Sequence, residues 1–148
     1  MVHAMPFINV PASQHNAGFT LGQQTFTPND TEARALVKND RPYAGWLYGG
    51  VSFISKNESV LDTLEVQFGV VGPWSLAEES QRLVHDIRNL KSPQGWDNQL
   101  NNEPGLELIY EHKRRVLRSS NATVVGYDML THAGGALGNV FTYLNAGG

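Results

Sequence analysis

Residues 60 to 71 read Val-Leu-Asp-Thr-Leu-Glu-Val-Gln-Phe-Gly-Val-Val, and their alternation decides the fold class. Leu64, Val66, Phe68 and Val70 fall on one side of an extended chain and Thr63, Glu65, Gln67 and Gly69 on the other, because successive strand side chains point to opposite faces. The same period runs through Leu106 to Leu117. There Glu107, Glu111, Lys113 and Arg115 share one face, while Leu106, Leu108, Tyr110 and Val116 share the other with the less fitting His112 and Arg114. From Gly18 to Thr27, Phe19, Leu21, Gln23 and Thr25 alternate with Gly18, Thr20, Gly22 and Gln24, a strand with a small, polar inner face. Tyr43 to Ile54 is aromatic and glycine-rich; Asn121 to Leu130 and Val140 to Leu144 complete six strand candidates around a loop at His132-Ala133-Gly134-Gly135. Residues 1 to 15 read as an irregular lead-in and Thr31 to Val37 as a short helical turn. Strands of roughly 10 residues that alternate charges and aromatics suit a transmembrane barrel, but a soluble sandwich shows the same alternation. On alternation alone the soluble reading leads.

A chain of 148 residues with no internal repeat is one domain by length. Its net charge of −3, without a long basic block, argues against nucleic acid as a partner. It has no cysteine, which rules out disulfides and thiolate chemistry and fits an extracytoplasmic setting. No apolar run approaches the ~18 residues of a spanning helix, and the first residues lack the basic start and apolar core of a signal peptide, so the chain as it stands carries no export signal.

One segment interrupts the strands. After Pro73, residues 74–91 form an expected amphipathic helix and 92–105 a polar loop. At ~100° per residue Leu76, Leu83, Val84, Ile87 and Leu90 gather on a side expected to be buried, opposite Glu78, Gln81, His85 and Arg88. Ser75 with Glu78 three residues on predicts a capping box. Ser92-Pro93-Gln94-Gly95 then breaks the helix. In the loop, Asp97, Asn98 and Glu103 offer the oxygen atoms that hard cations prefer, although their spacing matches no known ligand set. A hydrogen-bonded structural loop, with Glu103-Pro104-Gly105 as the turn into the next strand, is the leading reading of those residues.

Three stretches together resemble a known family. Gln23-Gln24-Thr25-Phe26-Thr27-Pro28, then Asp40-Arg41-Pro42-Tyr43-Ala44-Gly45-Trp46-Leu47-Tyr48, then Gly69 to Pro73 leading into Gln81-Arg82-Leu83-Val84-His85 and Gln94 to Gly105 are similar, in order and spacing, to the lipid A 3′-O-deacylases of Gram-negative outer membranes. The resemblance runs from about Gly18 to the end. It implies an all-β fold with one inserted helix, part of a twelve-stranded antiparallel outer-membrane barrel. It also implies removal of the acyloxyacyl group at the 3′ position of lipid A, with a divalent cation, usually calcium, as cofactor, and lipopolysaccharide and the outer membrane as partners. The family's catalytic histidine matches His85, and the glutamine one helical turn before it matches Gln81. The family's upstream Asn-Asp pair and Thr have no counterpart before Gly18, and Val140 to Gly148 resembles the start of a late strand, so the chain is expected to be an internal fragment.

The chemistry fits those positions. An imidazole can take a proton from water near neutral pH, as ester hydrolysis requires, so His85 is the expected base and a solvated surface histidine the bland rival. An acyl-enzyme route through a Ser or Thr stays open. Gln81, at i−4, is expected to hydrogen-bond His85 or the substrate, or else to be an exposed helix residue. Arg41 is a candidate for a lipid A phosphate, which its planar fork suits; the alternative is a pairing with Asp40 or a Glu that supports the turn. Tyr43, Trp46, Tyr48 and Trp96 are candidates for interfacial aromatic girdles, with a packed core as the rival for Trp46 and Tyr48. The metal ligands stay unknown, and His3, His15, His112 and His132 unassigned. The rival functions are a catalytically silent outer-membrane barrel that binds lipid and a small soluble barrel for a lipophilic ligand.

Overall fold

The computed structural model describes residues 14–119 and 126–148. Its strands are β1 (Gln14–Phe26), β2 (Ala44–Lys56), β3 (Val60–Val71), β4 (Glu103–Arg118), β5 (Asp128–Gly138) and β6 (Tyr143–Gly147), with one helix, α1 (Ala77–Ile87), between β3 and β4. The strands form one sheet in the order β1-β2-β3-β4-β5-β6, each beside its neighbour in sequence, with β1 and β6 at the edges. The β4–β5 and β5–β6 pairs are antiparallel. No helix among the described residues is long and apolar enough to cross a membrane, which says nothing of crossing by strands.

The sheet is inside out relative to a soluble one. Phe19, Leu21, Phe68, Leu106, Leu108 and Leu137 are exposed, whereas Gln67 and Glu107, on the opposite face of their strands, are buried. Thr20, Gly22 and Gln24 of β1 are half-buried between exposed neighbours, so the small, polar inner face expected of that strand is present. On β4, Glu107 is buried and Glu111, Lys113 and Arg115 are half-buried, as the alternation requires of charges facing inward. This is how a strand standing between lipid and a polar interior is patterned.

Contacts divide the chain into two compact units. One comprises the chain as far as Thr20, Gly50–Gln67 and Glu107–Gly148; the other comprises Leu21–Gly49 and Phe68–Leu106. In the first, charges hold one another: Arg115 donates to the Asp128 carboxylate at 2.8 Å and to the Glu58 carbonyl, and Tyr110 and His112 meet one oxygen of Asp62 at 2.8 and 2.7 Å. In the second, α1 and the loops on either side pack around Tyr43, Ala77 and Trp96.

Several local expectations change. His132-Ala133-Gly134-Gly135 is the middle of β5, not a loop, because a side chain at Gly134 or Gly135 would run into the carbonyl of Tyr110 or Tyr143 on the flanking strands. The glycines there permit close strand approach rather than a bend. Of the strand expected from Asn121 to Leu130, residues 121–125 lie outside those described, and the strand begins at Asp128. The last strand is Tyr143–Gly147, β1 already includes Gln14 and His15, and the region 31–37 contains no helix. Glu103-Pro104-Gly105 is the first part of β4 instead of a turn.

The helix departs most. Pro73–Ser75 is a separate 3-10 turn, and α1 starts after Leu76, whose backbone is left-handed at φ 57°. No side chain caps that end, so the capping box from Ser75 does not form; Ser75 is fully buried against β2, where only a glycine, Gly45, leaves it room. Leu76, Leu83, Val84, Ile87 and Leu90 are all exposed, so the side expected to be buried is outside. The half-buried side carries Glu78, Gln81 and His85. Trp46, Tyr43 and Trp96 are buried rather than set at an interface; Trp46 stacks on Tyr48 at 4.2 Å, and Tyr43 tilts against Trp96 at 4.9 Å.

Candidate active site

The polar loop after α1 is tied down on two sides. Towards the 27–43 segment, Gln94 N donates to Thr31 O at 2.9 Å, the Asn98 amide to Arg34 O at 2.8 Å, and Leu100 N to Tyr43 O at 3.0 Å. Towards α1, Trp96 Nε1 donates to Gln81 Oε1 at 2.9 Å. Trp96 is almost wholly buried, which explains a large aromatic in so polar a stretch: its body fills the core and its N–H finds the helix. Asn98 is a loop-building amide.

His85 is held by the chain reversal that ends its own helix. Arg88 closes α1, Asn89 takes a left-handed backbone at φ 51°, and Leu90 N returns to His85 O at 2.9 Å. Asn tolerates that conformation better than most side chains do. The reversal brings the Lys91 carbonyl to 2.6 Å from His85 Nδ1. A carbonyl only accepts, so Nδ1 carries a proton, and in the neutral ring the free lone pair is on Nε2. Gln81 is oriented by the same logic. An indole only donates, so the oxygen of the Gln81 amide faces Trp96 and its NH2 group faces away, with no partner among the described residues.

Beside this helix a cleft of about 480 Å³ is lined by Arg34, Arg82, Asp86, Gln94, Trp96 and Asp97, among others. Arg82 is paired with Glu78 one turn earlier, and Arg34 reaches Gln94 Oε1 at 3.3 Å. His85 and Gln81 are not among the cleft's lining residues. Arg41 lies elsewhere on the 27–43 segment, with its Nε donating to the Thr27 carbonyl. Its main-chain N–H, with that of Asn29, reaches Asp40 at 2.7 Å, and these two bonds hold the Asp40 carboxyl below the usual range. Burial raises the Tyr43 phenol, and a 2.7 Å bond to Glu32 raises Lys91.

The geometry therefore brings His85 and Gln81 onto one half-buried helix face against the loop, while Arg41 is bonded to Thr27. The Lys91 carbonyl and Trp96, which orient them, were missing from the sequence-level site. A main-chain carbonyl leaves no mark in a sequence, whereas a lone Trp among amides is a signal that an anchor is present.

The family model described as outer membrane protein LpxR matches residues 1–148. The chain belongs to the LpxR family of outer-membrane proteins. Of solved structures, LpxR from Salmonella typhimurium superposes with a TM-score of 0.76 at 21% identity, over 89% of this chain and 47% of that one. The present chain thus spans about half the length of that relative and shares its fold. No curated protein matches it by sequence. Outer-membrane residence accounts for the apolar exterior of the LpxR-family strands and excludes the soluble sandwich.

Proposed function

We propose that this chain carries part of the active site of a lipid A 3′-O-deacylase, with His85 as the general base. The observation that carries the reading is the 2.6 Å contact of His85 Nδ1 with the Lys91 carbonyl, which in the neutral ring leaves Nε2 as the basic nitrogen of a residue on the half-buried side of α1. Membership of an outer-membrane family and the apolar outer side of α1 support a lipid substrate.

In this reading Nε2 of His85 takes a proton from water as the water oxygen attacks the carbonyl of the 3′ ester. The NH2 group of Gln81 donates to the oxyanion or the substrate carbonyl. The tetrahedral intermediate then collapses with cleavage of the bond between the acyl carbon and the sugar oxygen. His85 returns its proton to the departing 3′ oxygen, leaving a free 3′ hydroxyl and an acyloxyacyl carboxylate. Arg41, with one guanidinium nitrogen held by Thr27, is kept as a phosphate contact.

Calcium belongs to the reading through the family resemblance, and when bound it would polarise the ester carbonyl. Among the described residues no three of His, Asp or Glu converge as a metal site, so no step above is routed through it. The test is the mass of lipid A from cells carrying the gene. Loss of one acyloxyacyl group with the wild-type gene, reduced 10²–10⁴-fold in His85→Ala at equal outer-membrane abundance, is expected. Unchanged deacylation in His85→Ala would sink the assignment.

A further inference from the structure

The interior side of β3 and β4 holds two oxygen atoms that nothing among the described residues satisfies. Glu107 is fully buried. Its Oε1 accepts from the main-chain N–H groups of Val140 and Phe141 at 2.8 and 2.9 Å, while Oε2 is buried with no hydrogen-bond partner among the described residues. Gln67 is 6% exposed; its Nε2 donates to Glu65 Oε1 at 2.7 Å, and its Oε1 is likewise buried and unpartnered. The Gln67 amide cannot be turned round, because its oxygen would then face a carboxylate.

The two residues stand opposite each other across the strand pair. Arg115 N donates to Ser59 O at 2.8 Å, and Asp62 meets both Tyr110 and His112, which sets how β3 runs against β4. Counting equally along β3 from Ser59 and back along β4 from Arg115 brings Gln67 opposite Glu107. Directly opposed residues on one face of an antiparallel pair have Cβ atoms about 4.5–5.5 Å apart. On the neighbouring strand β2 stands Gly50, where a Cβ would come within 3.0 Å of Glu65 Oε1 and 3.1 Å of Gln67 Cγ. The missing side chain lets the Glu65 and Gln67 side chains lie close against the β2 backbone.

We infer that Glu65, Gln67 and Glu107 form a cation site in the interior of the sheet, taking one hard divalent ion through two carboxylates and an amide oxygen. Oxygen donors suit such an ion, with water completing its shell, and two carboxylates balance its charge. A buried carboxylate oxygen without a partner is costly, and the ion removes that cost. The site shares no residue with the His85 face and is independent of the deacylase reading.

The test uses the whole chain in detergent, stripped with chelator and then titrated with Ca²⁺ or Mg²⁺ while unfolding is followed by circular dichroism and heat of binding by calorimetry. At a hundredfold excess over Kd the Tm is expected to rise on the order of 5–10 °C. Glu107→Gln, which keeps an acceptor for the two main-chain amides, is expected to abolish both the rise and the heat. Gly50→Ala, which narrows the cradle and removes no ligand, is expected to weaken binding about tenfold, and His85→Ala to leave it unchanged. No rise in the wild type overturns the site. So does an equal rise in Glu107→Gln, which puts the ion elsewhere. So does metal-free Glu107→Gln melting as high as the metal-loaded wild type, because a proton shared between Glu107 and Gln67 would then fill the ion's role.

Discussion

On β4, Arg115 is held by Asp128 and a carbonyl, Lys113 lies 3.3 Å from Glu111, and Glu107 caps two main-chain amides. On the half-buried side of α1, beside Glu78 with its ion pair to Arg82, two residues are held by neutral partners, His85 by a carbonyl and Gln81 by an indole N–H. Both elements turn their apolar side outward, but they treat their polar side differently. The strand matches Arg115 and Lys113 with carboxylates, whereas the helix fixes His85 and Gln81 each through one end and leaves the other end available. A neutral hydrogen bond directs a ring without neutralising it, which is what separates a chemically usable side chain from a structural one.

That contrast can be broken at its anchor. Trp96→Ala removes a buried indole and should destabilise the helix-and-loop region by about 3–5 kcal/mol, read as a lower denaturation midpoint in detergent. Trp96→Phe sharpens the point: it keeps most of the packing but leaves Gln81 Oε1 without its donor, for a smaller loss of about 1–3 kcal/mol. An equal loss in the two variants would mean that the N–H contributes nothing. Ile87→Ala tests the inverted helix. Ile87 is 73% exposed, so the change should stay within about 0.5 kcal/mol, where a core Ile would cost 2–5.

The smallest effects are those of exposed loop charges. Because the folded state lowers the Asp40 carboxyl, its contribution is present above the ordinary value of 3.8 and is lost as pH falls below it towards the folded value. Asp40→Asn should therefore lower stability slightly at neutral pH, with the difference from wild type closing as pH falls below 3.8. Lys91 is shifted up by Glu32, so its contribution holds below 10.5 and disappears as pH rises beyond that. The difference between wild type and Lys91→Ala should close only in that alkaline range. Since His85 is oriented by the carbonyl of Lys91 and not by its side chain, the same variant should keep its tautomer, visible in the ring nitrogen shifts by NMR.

Alternation in 60–71 and 106–117 was enough to find strands β3 and β4 and to sort their residues into two faces, because a period of two follows from the extended backbone alone. The shared face of Gln81 and His85 followed in the same local way from helical geometry, but the helix expected to run to 91 ends at Ile87 and the chain reverses at Asn89, before Ser92 to Gly95. Which face is inside did not. Amphipathicity says that two sides differ, and only the surroundings say whether the apolar side meets a core or lipid, so Leu83, Val84 and Ile87 were assigned to the wrong side until the fold placed them. The left-handed turns at Leu76 and Asn89, the Lys91 carbonyl on His85 and the pairing of Gln67 with Glu107 across strands depend on residues meeting through the tertiary fold. The sequence by itself determined the elements, their faces and the helix that bears His85. The tertiary structure alone decided which face points inward, because that depends on what each face packs against.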